Sequence, residues 1–258
     1  MAPTGFHGLM GIFLSKFVRS PALKTGLVFG SVIPDIDLFG SVLIYVLTSN
    51  EELTITFHRT LTHSFFTISF IVLAGILLEY TGSDLTFDGG KLKLALLLIG
   101  TGSGMFIHVL MDFLYLDGVS ALAPLSWDRI HVIDLSFDDF TIASQKKLAA
   151  ADFQFEALFW LVLWYLAGKK TTDDSLKIKL LGRDLEITDL RNKVAWLSVT
   201  EALLMFGFLL FAFTPVGRND FIIYMYIPGV LALFLTFTLP LIFRESLYEL
   251  PENPTIPF

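Results

Sequence analysis

The chain of 258 residues has no cysteine. Disulfides, thiolate metal sites and a Cys nucleophile are therefore excluded, and any metal must be held by His, Asp, Glu or backbone oxygen. Charge is scarce too. Only 17% of residues are Asp, Glu, Lys or Arg, against about 25% in an average soluble domain. Positive charge is the scarcer sign, with 18 basic against 25 acidic residues and a net charge of −7. Nucleic acid is not expected as a partner, because phosphate binding needs a basic face. Histidine is limited to five residues, none beyond His131. What is abundant is apolar: 54% of the chain, with 26 Phe and a mean hydropathy of +0.68. A soluble fold of this length cannot bury so much apolar surface, whereas a polytopic membrane protein can leave its outer faces to lipid.

The sequence predicts an all-α, polytopic transmembrane helical bundle of about 5–7 membrane-inserted helices, since a span needs about 20 apolar residues. Apolar runs cover 63–81, 93–114 and 194–215, and a fourth, 221–243, carries Pro228 and Pro240. A shorter run at 153–168 includes Glu156. Nearer the start, 6–18 reads as an amphipathic helix and 22–33 as a short apolar helix. Pro34 stops the second, and another apolar stretch follows at 38–49. This makes a broken or re-entrant element near residue 34, a form tolerated at membrane depth only beside protein or a wet cavity. Residues 117–152 read as a long polar connection, and 169–193 as a polar loop. Alternation around Gly182 predicts a small β-hairpin near 176–187. Gly100, Gly102 and Gly104 imitate a phosphate loop, but they lie within an apolar span and no Lys follows. Close helix packing is the better reading.

Depth arithmetic gathers the polar residues. A span starting at His63 rises about 28 Å over about 19 residues. The next returns from residue 93 to the starting level near Asp112. His108 is one turn before Asp112, on the same face. All five His (7, 58, 63, 108 and 131) can therefore meet on one side.

Three clusters carry chemistry: Pro34-Asp35-Ile36-Asp37 at the helix break, His58-Arg59-Thr60-Leu61-Thr62-His63-Ser64 at the mouth of a span, and His108 with Asp112 inside one. Ionisable groups in a span are costly and face partners or water. Mixed His and carboxylate donors suit Zn, Mn or Fe. A metal so held lowers the pKa of a bound water to about 7, and the planar fork of Arg59 suits a phosphate or carboxylate. Each cluster taken alone also has a structural reading: a buried ion pair, a helix cap, interfacial side chains. Their convergence on one face favours a site. Asp134 is an outside candidate, His131 reads as surface polar or as a supporting residue, and no nucleophile is assigned to Thr62 or Ser64, which lack a Ser-His-Asp context.

At these residues the sequence resembles the YdjM-like family of membrane-bound, predicted metal-dependent hydrolases. The resemblance runs through His7, Val-Ile-Pro-Asp-Ile-Asp at 32–37, His-Arg-Thr-Leu-Thr-His-Ser at 58–64, His108-x-x-x-Asp112, Asp117-Gly118-Val119 and Ala-Pro-Leu-Ser at 123–126. It covers about residues 5–140, and Thr60 stands where the family usually has Gly. It implies metal ligands at Asp35, Asp37, His58, His63, His108 and Asp112, with His7 in the set. Arg59 and Asp134 are the catalytic candidates on the residue reading above. One to three divalent ions are expected, Zn ahead of Mn or Fe. The chain then divides into a metal-site membrane domain, 1–152, and additional transmembrane helices, 153–258, with the polar loop at 169–193.

The expected function is metal-dependent hydrolysis of a phosphoester or lipid-like substrate at the interface of a cell membrane, with membrane lipids as partners. A metal or proton transporter using the same cluster and a metal-stabilised scaffold are the alternatives. Lys169, Lys170, Arg191 and Lys193 flank two spans and, by the positive-inside rule, lean the site toward the extracytoplasmic face. No particular oligomeric state is implied.

Overall fold

The computed structural model describes residues 4–81, 85–87, 90–115, 118–133, 135, 139–168, 176–180 and 183–187, and scattered positions from 196 to 214. The expected runs 221–243 and most of 194–215, the Pro-rich tail and Asp134 lie outside the described residues.

Helix α1 (Thr4–Ser15) leads to α2 (Pro21–Gly30). Ser20 caps α2 by accepting from the Leu23 N–H, and Pro21 occupies its first turn, where no N–H is needed. A 3-10 turn at Ile33–Ile36 and then α3 (Asp37–Thr48) follow, bent 48° from α2. The break predicted near Pro34 is thus present. Helix α4 (Glu51–Phe57), capped by the Asn50 side chain, follows. A second 3-10 turn, Leu61–His63, opens α5 (Phe65–Thr81). Short strands β1 (Leu85–Phe87) and β2 (Gly90–Leu92) pair antiparallel and lead to α6 (Leu94–Asp112).

After α6 the chain folds back under the 58–65 segment. Phe65 N–H donates to Ala121 O at 2.8 Å, and Ser120 N–H to Arg59 O at 3.1 Å. Gly118 takes a positive φ of 57°, and a Cβ there would press on the Ile130 carbonyl. The predicted connection 117–152 ends early, because α7 runs from Ile142 to Gly168. Thr141 starts it by accepting from the Ser144 N–H, and the Ala, Gln, Lys and Leu residues that follow are strong helix formers. Strands β3 (Leu176–Leu180) and β4 (Arg183–Ile187) pair antiparallel.

Helix α6 is central, with α2 on one side and α5 on the other; α1 packs on α2 and α7. Small residues set the α2–α6 approach. A Cβ on Gly26 would meet Leu97 O and one on Gly30 would meet Thr101 O, while on α6 Gly100 and Gly104 face Leu23 O and Leu27 O. Backbone therefore touches backbone, as close helix packing requires. On the α5 side, Ile68, Met105, Val109, Val119 and Ala121 form a buried cluster with Phe65 and Phe113 against it. The outer faces remain apolar. Phe66, Phe70, Leu73 and Leu77 of α5 are more than half exposed, as are Phe39, Leu43, Val46 and Leu47 of α3. Those spacings make one stripe on each helix.

Among the described residues, one helix, α6, is long and apolar enough to cross a membrane, or two elements if the bent α2–α3 pair counts as one span. That is fewer than the predicted 5–7. Helix α5, at 17 residues, falls just short, and α7, although 27 residues long, begins with polar turns that include Lys146, Lys147 and Asp152.

Candidate metal centre

Helix α1, the helix break, the turn before α5 and the end of α6 bring five ligand-type side chains together in the interior. His7, His63, His108 and Asp112 are fully buried, and Asp35 is 3% exposed. His63 Nε2 and His108 Nε2 lie 3.2 Å apart. Each is 3.5 Å from Asp35 Oδ1 and 3.4 Å from Asp112 Oδ2. Neighbouring ligands around a tetrahedral zinc ion with bonds of about 2.0–2.1 Å are about 3.3 Å apart. The donor spacing therefore fits one such ion. His7, His108 and Asp112 form one group of possible ligands, and Asp35, His63 and His108 another.

The surrounding bonds turn these donors inward. His108 Nδ1 donates to Ser31 O at 2.8 Å, which leaves Nε2 as the free lone pair. That single lone pair serves one ion, so the two groups cannot both be filled through His108. Thr4 Oγ1 donates to Asp35 Oδ2 at 2.7 Å, which leaves Oδ1 toward the two histidines. Both Asp112 oxygens and both ring nitrogens of His7 are buried without a hydrogen-bond partner. His7 Nε2 nonetheless lies 3.3 Å from Asp112 Oδ1, and its ring stacks on His108 with centroids 3.7 Å apart. Buried polar atoms left in this way are costly, and a cation between them would satisfy several at once.

Asp37 and His58 differ from the residues expected to act with them. Asp37 accepts from His58 Nδ1 at 2.7 Å, from the Arg59 N–H at 2.9 Å and from Thr62 Oγ1 at 2.6 Å. Neither residue belongs to the two groups above. Burial lowers the pKa of His58 although Asp37 opposes it.

Arg59 is buried beside the centre, with Nη2 3.8 Å from Asp112 Oδ1 and Nη1 donating to Gly118 O at 3.3 Å. Its φ of 66° is rare for a residue with a Cβ and is held by the Asp37 bond to its N–H. Its guanidinium lies 5.8 Å from the centre of the Tyr115 ring. The Tyr115 hydroxyl donates to the Asp152 carboxylate, and burial together with that carboxylate pushes its pKa up.

Four of the five histidines gather here. His131 does not: it is exposed, on the segment that turns outward after the Val119–Ile130 bridge. Thr4, Ser31 and Thr62 are supporting residues that sequence reasoning did not select. Glu156, predicted only as an acid within a span, accepts from the Gly5 N–H at the start of α1, where a negative charge suits the helix dipole.

The model of one family, the YdjM inner membrane protein, matches residues 2–172. No curated protein and no solved structure matches the chain.

Proposed function

The chain belongs to the YdjM inner membrane protein family, and from that premise we propose that it is a membrane-embedded, metal-dependent hydrolase. The observation that carries this reading is the His63–His108 pair with Asp35 Oδ1 and Asp112 Oδ2 at 3.4–3.5 Å. These four residues would hold the ion, with Zn favoured over Mn or Fe by the mixed imidazole and carboxylate set. A divalent ion supplies Lewis acidity toward a phosphoryl or carbonyl oxygen. The chain's own groups do the rest. His7 stands at the free Asp112 oxygen. Arg59, buried beside the centre, brings a fixed positive charge for an anionic substrate group. Asp134 remains a candidate proton acceptor. Asp37 and His58 support the centre.

The site lies at the last turn of α6 and just before the first turn of α5, so it sits at the ends of two apolar helices. Such a place favours a lipid or lipid-linked phosphoester as substrate. The apolar stripes on α3 and α5 face the bilayer, with further inserted helices in the C-terminal half. With the Lys- and Arg-flanked 169–193 loop in the cytoplasm, the site faces the extracytoplasmic side of the cell membrane.

The test is hydrolysis by the zinc-loaded protein in detergent, against phospholipid micelles and a soluble phosphomonoester. Release of phosphate or headgroup from lipid, lost in His63→Ala, supports the reading. Cleavage of the soluble ester alone would remove the lipid substrate. No cleavage, with zinc uptake into sealed vesicles instead, would replace hydrolysis with transport.

A further inference from the structure

The proposed ligand His63 must present Nε2 to the ion, so its proton must sit on Nδ1. The groups around Nδ1 decide this. Thr62 Oγ1 lies 3.0 Å from His63 Nδ1 and 2.6 Å from Asp37 Oδ2. Asp37 is a carboxylate without a proton to give, so the Thr62 hydroxyl hydrogen points to Asp37. The Thr62 oxygen then has only a lone pair for Nδ1, and the imidazole must donate there. Asp37 Oδ2, 3.3 Å from the same nitrogen, reinforces that direction. Asp37 already accepts from His58, the Arg59 N–H and Thr62. Its Oδ2 is occupied by the Arg59 N–H and Thr62 and its Oδ1 is held by His58, so both oxygens face this loop.

We propose that Thr62 and Asp37 are positioning residues that fix the Nδ1–H tautomer of His63, and that Asp37 is not itself a metal ligand. This rests on the metal-centre reading above. It adds Thr62, whose hydroxyl has no other assigned task, and moves Asp37 out of the ligand set that the sequence resemblance implies. Partners that orient ligating imidazoles this way typically carry a 10–100-fold effect on metal affinity.

The experiment measures zinc affinity and stoichiometry of the full chain in detergent, by competition with a chromophoric chelator, beside the melting temperature of each metal-free protein. Thr62→Val keeps the shape and removes the hydroxyl. It is expected to bind zinc at wild-type stoichiometry with about 10–100-fold weaker affinity. Thr62→Ser restores the hydroxyl and is expected to recover wild-type affinity, a rescue that packing alone does not predict. Asp37→Asn is expected to keep the stoichiometry and lose affinity, whereas Asp35→Asn loses the bound ion. Wild-type affinity in Thr62→Val, or loss of the ion in Asp37→Asn at unchanged melting temperature, would overturn this inference alone. A wild-type protein that binds no zinc would overturn it together with the metal-centre reading.

Discussion

Gly30→Ala tests how the α2–α6 seam supports the centre. The added methyl would point into the Thr101 carbonyl, with the Thr101 Cα also in the way at 2.8 Å. Both obstacles are backbone, so no side chain can swing aside and the helices must part. Overpacking of this kind costs about 1–3 kcal/mol, and a rigid obstacle places it at the upper end. Alanine returns about 1 kcal/mol of helix propensity. The net loss is therefore about 2 kcal/mol, or about 4–8 °C in melting temperature for a chain of this size. Because α2 ends beside Ser31, whose carbonyl orients His108, parting the helices also weakens zinc binding. Gly207→Ala is the control: among the described residues nothing lies within 4 Å of its added methyl, so its melting temperature should hold or rise. The assay is thermal unfolding in detergent with and without zinc. A Gly30→Ala protein as stable as wild type would refute the claim that backbone contact sets this seam.

Two further expectations follow from the same interior. Met105 is 2% exposed in the cluster with Ile68 and Val109, so Met105→Ala should cost about 2–5 kcal/mol in denaturant unfolding; a loss below about 1 kcal/mol would mean the cluster is not a packed core. In the metal-free protein a proton competes with zinc for the His63 and His108 imidazoles. Apparent zinc affinity should therefore climb as pH rises beyond 6.5, the usual His value, and fall below it. Competition titrations across pH 5.5–8.5, about three units around that value, would contradict this if they were flat.

The sequence showed the elements whose signal is local. Pro34 cannot continue a helix, so the break was legible, and the four-residue step from His108 to Asp112 placed both on one face before any fold was known. The glycines of α6 read correctly as packing because no phosphate-binding context surrounded them. Less legible were features that depend on distant partners. Ser31 contributes only its carbonyl, which no residue type advertises, and Thr4 reaches Asp35 across 31 residues. Ligands and the groups that orient them share the same chemistry, so the sequence presents Asp37 and His58 beside Asp35 and His63 without distinction. The bonds Asp37 accepts from His58, the Arg59 N–H and Thr62 are what the proposed positioning role rests on. His131 shared the composition of the cluster but not its place, since the segment after Gly118 carries it outward. Helix α7 begins earlier than hydrophobicity indicates because its first turns are held by propensity and a Thr cap rather than by apolar residues.

The central claim is that His63, His108, Asp35 and Asp112 surround one metal ion. The most direct measurement is metal content by mass spectrometry of detergent-purified protein, prepared without chelating resin, beside a His63→Ala/Asp112→Ala variant that still elutes as a folded species. The account predicts about one equivalent of zinc, or of Mn or Fe in its place, in the wild type, and none in the variant. Equal, near-zero metal in both proteins after reconstitution would contradict it and leave the four residues as a buried polar cluster.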